Sequence, residues 1–97
     1  MTAITVSAGE IKAFAHDFSA SVDQGVSLTR SLAAIAARQT NPELRRVIEQ
    51  INADLQNGSR LSTAMASHPA LFDPATVTVV AQGEVSGHLD DALRILA

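Results

Sequence analysis

Short apolar stripes alternating with helix breakers restrict this chain to a set of brief helices. The breaks fall at Gly25, Asn41-Pro42, Asn57-Gly58, His68-Pro69, Asp73-Pro74 and Ser86-Gly87. Glycine supplies the left-handed residue that closes a helix, and proline is pre-set for the first helical turn. Between the breaks the apolar residues recur every three or four positions, the period of a helix face. The first stripe is Ile11, Phe14, Ala15, Phe18 and Val22. Ser7 is its expected N-cap, with Glu10 at capping-box spacing, and Gly25 its expected end.

The second stripe, Leu28, Ser31, Leu32 and Ile35, is flanked by alanines that favour close packing on two sides. Asn41 then caps a third helix, with Pro42 and Glu43 suited to its positive end. Its stripe is Leu44, Val47, Ile48, Ile51 and Leu55, and Arg45, Arg46 and Glu49 cover the outer face. Arg45 and Glu49 stand four apart and are expected to form a weak pair. A short fourth helix, capped by Ser59, buries Leu61, Ala64 and Met65.

Thr76-Val77-Thr78-Val79-Val80 has the composition of a strand, but the Asp73-Pro74 start favours a fifth helix. Its nearly all-round apolarity predicts a central, enclosed position. The last helix opens near His88 with Leu89, Ala92, Leu93 and Leu96 inward. Asp90 and Asp91 lie in its first turn, and Arg94 is four beyond Asp90. The fold class that follows is all-α, a bundle of six short antiparallel helices. Residues 1–8 are expected to be a terminal tail and 9–97 the domain. With its last helix still running at Ala97, the sequence is expected to be a piece of a longer chain.

Composition narrows the function. There is no cysteine, which excludes disulfides and thiolate metal sites. The net charge is −3, and the seven basic residues are scattered, with only Arg45 and Arg46 adjacent. That pattern argues against a nucleic-acid partner, which needs a concentrated basic face, and so against a helix-turn-helix regulator. Three phenylalanines are the only aromatics, so stacking platforms for bases or sugars are scarce. No apolar run approaches the ~20 residues that cross a bilayer. His16-Asp17 with Ser19 or Ser21 lacks the elbow and oxyanion loop of a hydrolase, and no enzyme is expected. Glu84, Asp90 and Asp91, with His88, form a loose acidic group without calcium-loop spacing, so neither metal nor other cofactor is expected. Glu84 falls on or beside an apolar stripe and is expected to cap the N–H groups that open the last helix.

The order of the motifs carries a resemblance. It runs through Gly25-Val26-Ser27-Leu28 and Leu32, Asn41-Pro42-Glu43-Leu44-Arg45, Gly58-Ser59-Arg60-Leu61-Ser62 and Leu71-Phe72-Asp73-Pro74. It ends in Gly83-Glu84-Val85-Ser86-Gly87-His88-Leu89-Asp90, with Leu93 beyond. This series resembles the repeated cytoplasmic domain of the type II secretion protein F family, which includes the PilC-type platform proteins of type IV pili. The opening helix departs from the family pattern at His16 and Asp17. The resemblance implies one cytoplasmic domain of an inner-membrane platform, whose membrane spans lie outside these residues. It implies a docking partner in the secretion or pilus assembly ATPase, and contacts with other inner-membrane assembly components. The Arg45, Arg46 and Glu49 face is the candidate partner-binding surface, through charge-steered contact. An apolar stripe left over from the bundle would allow a homodimer.

Overall fold

The structure, a computed structural model, describes residues 6–97. The opening residues of the expected tail, 1–5, lie outside the described residues. Six helices follow one another: α1 Ala8–Asp23, α2 Leu28–Arg38, α3 Pro42–Gln56, α4 Leu61–Ala66, α5 Pro74–Ser86 and α6 Leu89–Leu96. Among the described residues there is no strand, so the β-prone run at 76–80 is helical, as its cap predicted. None of the helices is long and apolar enough to cross a membrane.

Local chemistry sets most of the boundaries. Ser7 accepts from the Glu10 N–H while Glu10 accepts from the Ser7 N–H, the full capping box. Asn41 caps α3 through the Glu43 N–H, and Asp73 caps α5 through the Thr76 N–H, each followed by proline. Gly25, Gly58 and Gly87 have φ of 84°, 96° and 79°. All three turns share one further bond. The residue after the glycine donates to the carbonyl five positions back: Val26 to Ser21, Ser59 to Asp54, His88 to Gly83. That bond satisfies a carbonyl left over at the helix end.

Each helix packs against its predecessor and successor, and α6 returns to pack on α1. The result is a closed ring of antiparallel helices around one core. Phe18, Leu32, Ile35, Leu44, Ile48, Ile51, Leu61, Val80 and Leu93 are essentially without solvent contact. The chain's three aromatics meet there, Phe14 lying 5.6 Å from Phe18 and 6.3 Å from Phe72 by ring centroid. Burying side chains of this size is worth roughly 1.5–3 kcal/mol each, the main driving force for closure. Between α1 and α2, fully buried Ser31 shares a 2.7 Å hydrogen bond with Ser21. That bond occupies one serine of the imagined His16-Asp17 constellation, whose His16 and Asp17 are both exposed.

One expectation about the packing needs correction. Helix α5 is not enclosed: only Val80 and Gly83 are buried, and Val85 is 81% exposed. Helix α2 does pack on two neighbours, α1 and α3, with Ala36 buried and Ala33, Ala34 and Ala37 left at the surface. All-round apolarity says that a helix can be covered on every side, not that its own chain covers it.

Candidate docking surface

Because the helices alternate in direction, the three left-handed turns gather at one end of the ring. Leu28, Leu61 and Leu89, each just past one of those turns, line a common groove of about 460 Å³ there. Leu55 completes the apolar floor, and Arg60, Glu84 and Val85 stand along it. Motif pieces separated by more than fifty positions in the sequence thus converge on one site.

Glu84 holds the groove together. Its carboxylate accepts from the Ser62 N–H at 3.1 Å and from the Ser62 hydroxyl. It therefore caps a helix N-terminus, as expected, but that of α4 and not of α6. The physical reason lies in α4: Arg60, not Ser59, occupies the N-cap position and offers no side-chain cap. The first-turn donors of α4 consequently take a charged acceptor from across the bundle, which is stronger than a neutral one. Gly83, one residue earlier, does a different job. A Cβ built there would lie 2.7 Å from the Ala92 Cβ and 3.1 Å from the His88 carbonyl, so only glycine lets α6 approach this closely. Gly83-Glu84 thus couples α5 to α4 on one side and to α6 on the other.

The remaining motif residues are structural in placement. Pro42 and Pro74 sit in the first turns of α3 and α5, while Leu32, Phe72 and Leu93 are core residues. On the α6 side of the groove, His88, Asp90 and Asp91 lie with ligand atoms within 4.8 Å of one another, all at the surface. Glu84, engaged by Ser62, is not part of that group. Arg94 does not pair with Asp90. It donates to Asp91 at 2.8 Å and to Asp23 of α1 at 3.0 Å, tying α6 to α1. The hydrogen bond and charge of Asp23, and to a lesser degree those of Asp91, hold the Arg94 guanidinium above its ordinary pKa.

The expected Arg45, Arg46 and Glu49 face is exposed on α3, near the opposite end. Arg45 donates to the Gln39 carbonyl at 2.6 Å, closing the end of α2, and does not reach Glu49. Arg46 approaches Glu43 at 3.8 Å and borders a depression with His68 and Pro69. Glu49 borders a separate depression beside Ala33, Ala36 and Ala37. Arg45 is spent on helix closure because the bare α2 carbonyls attract the nearest cation.

Comparison with known proteins bears on this arrangement directly. The family model described as type II secretion system (T2SS), protein F, matches residues 14–97. The chain belongs to the type II secretion system protein F family. It is 34% identical over 88 residues to a type IV pilus assembly protein PilC of Myxococcus xanthus, covering 91% of this chain and 21% of that protein. It is 36% identical over 76 residues to the type II secretion system protein F of Vibrio cholerae, covering 78% of this chain and 19% of that one. A type IV pilus assembly protein PilC of Pseudomonas aeruginosa is 27% identical over 88 residues, covering 91% of this chain and 24% of its own length. The chain thus spans about a fifth of the length of these relatives. This F-family domain shares its match with both pilus-assembly and secretion proteins.

Proposed function

We propose that this F-family domain is a cytoplasmic docking module of an inner-membrane platform protein, seating an assembly ATPase and coupling it to pilin or pseudopilin assembly or to type II secretion. The supporting observation is the match of a family named for secretion and pilus assembly across residues 14–97. The architecture agrees with such a role. A closed ring with capped helix ends is a rigid body, and rigid bodies transmit force and present surfaces without reorganising on contact. The domain acts by contact and not by catalysis. Membrane attachment comes from parts of the longer protein outside these residues.

Arg46 and the exposed flank of α3 form the first candidate contact with the ATPase, with Arg45 a lesser contributor because of its bond to Gln39. The test is a pull-down of the cognate assembly ATPase with this chain, wild type against Arg45→Glu/Arg46→Glu. Capture by the wild type that falls at least about tenfold in the double variant supports charge-steered docking at this face. Absence of capture by the wild type sinks the ATPase role, and equal capture by both moves the contact elsewhere on the domain.

A further inference from the structure

We propose that Asn57 is a self-modification site: its side-chain amide is lost to attack by the backbone nitrogen of Gly58, and the turn between α3 and α4 sets the rate. The inference concerns the chain's own chemistry and stands apart from the docking role above.

The chain has three asparagines, followed in turn by Pro42, Ala53 and Gly58. Proline carries no N–H, so its nitrogen cannot take part at Asn41. Asn52 lies inside α3, where the helix holds the Ala53 nitrogen in place. Asn57 differs on each count. It is the C-cap of α3, it is exposed, and its side chain makes no hydrogen bond among the described residues. Gly58 has no Cβ to crowd the approach to Cγ of Asn57.

The chemistry needs only the chain and water. The Gly58 nitrogen bonds to Cγ of Asn57, the Cγ–Nδ2 bond breaks, and ammonia departs with the Gly58 proton. Water then opens the cyclic imide and returns a proton to that nitrogen. Opening at Cγ leaves aspartate, and opening at the main-chain carbonyl leaves isoaspartate, whose backbone runs through Cβ and Cγ. Nothing is oxidised or reduced.

The folded turn withholds the nucleophile. Asn57 has ψ of 7°, which lays the Gly58 nitrogen over the Asn57 backbone nitrogen and well over a right angle from Cβ. The Gly58 N–H donates to the Leu55 carbonyl at 3.1 Å, and the Ser59 N–H to the Asp54 carbonyl at 3.0 Å. Ring closure turns the Asn57 Cα–C bond and breaks both. The turn is exposed, so opening it locally costs less than unfolding the core. Local opening therefore gates the reaction. Once formed, isoaspartate lengthens the turn by a methylene, and either product adds a carboxylate at the negative end of the α3 dipole. Ser59 and Arg60 follow directly and line the groove, so the change loosens its α4 wall.

The test incubates the intact chain in mildly alkaline buffer, folded, in sub-denaturing urea and in unfolding urea. Peptide mapping by mass spectrometry follows conversion at each asparagine and separates aspartate from isoaspartate by retention. Conversion is expected at Asn57 ahead of Asn41 and Asn52, at least about tenfold slower in the folded than in the unfolded chain, with a rate nearly flat through sub-denaturing urea. Ser59→Pro removes the donor to Asp54 and keeps the Asn57-Gly58 pair. It is expected to speed conversion in the folded chain and leave the unfolded rate unchanged, with circular dichroism checking its fold. If that variant does not fold, the urea series decides alone. The isoaspartate form, separated by ion exchange, is expected to melt below the unmodified chain. The proposal is overturned if Asn57 stays intact in unfolding urea, or if folded and unfolded chains convert equally. It is also overturned if the folded rate rises with urea in step with global unfolding, if a folded Ser59→Pro converts no faster, or if the isoaspartate form melts with the unmodified chain. None of these results touches the docking role, which ATPase capture decides separately.

Discussion

Gly83 and Glu84 are adjacent in the chain but act on different helices, and substitutions separate the two roles. In Gly83→Ala the new methyl meets Ala92 at 2.7 Å and backbone of α6 at 3.1 and 3.2 Å, so α5 and α6 must part. Overpacking of this kind costs roughly 1–3 kcal/mol. Urea denaturation is expected to show that loss, and adding Ala92→Gly is expected to recover only part of it, because the backbone contacts remain. Glu84→Gln keeps the size but weakens a charge-assisted cap, at about 1 kcal/mol with helical content unchanged. Ser62→Ala combined with it in a double-mutant cycle is expected to show positive coupling. An additive cycle contradicts the Glu84 bond to the Ser62 hydroxyl, the backbone N–H donor being kept in Ser62→Ala. The sequence disclosed that Glu84 must be satisfied by a helix start, since a carboxylate beside an apolar stripe demands donors. It could not disclose which start, because Ser62 lies 22 positions away and only the ring geometry brings it near.

Among the elements, the three glycine turns isolate a purely conformational term. A Cβ on Gly58 meets nothing within 4 Å, yet φ is 96°. Gly58→Ala is therefore expected to lose about 1 kcal/mol from backbone strain alone, with Gly58→Asn losing less, as read by thermal melts. Helix starts supply a pH signature. The Thr76 N–H holds the Asp73 carboxyl below its usual value. The Ser7 N–H, and then the Asn41 amide, do the same for Glu10. A carboxyl with a depressed folded pKa stabilises the fold above its unfolded pKa, and that contribution disappears as pH falls through the folded value. Stability is thus expected to decline on the acid side of the carboxylate range, and Asp73→Asn/Glu10→Gln to flatten that decline in denaturation measured from pH 6 downward. The breaks, the inward stripes and the caps of α1, α3 and α5 were legible because each depends on residues within one turn of each other, whereas the start of α4, expected at Ser59, takes its cap from across the ring. The exposure of α5 was not, since apolarity records what a surface tolerates and not what lies against it.

For the whole molecule, α6 with α1 is, among the described residues, the one packed helix pair far apart in sequence. The other packed helix pairs are sequence neighbours, while single side chains such as Phe14 with Phe72 and Glu10 with Asn41 reach across. Removing α6 by ending the chain after Gly87 uncovers the Phe14–Phe18 face and Gly83, and takes away Leu93 and the Arg94–Asp23 tie. The shortened chain is expected to keep much of its helix signal but lose a cooperative thermal transition. A sharp melt near that of the intact chain contradicts the closed ring as the cooperative unit. Arg94→Ala alone is expected to leave the melting temperature nearly unchanged, because the tie is solvent-exposed. Leu96 and Ile11 line the same small apolar cavity, which brings the finish of α6 beside the start of α1, away from the groove. A short flexible segment can therefore splice those two points, and the backbone can be reopened at the Gly58 bend, giving a circularly permuted molecule with the same neighbours throughout.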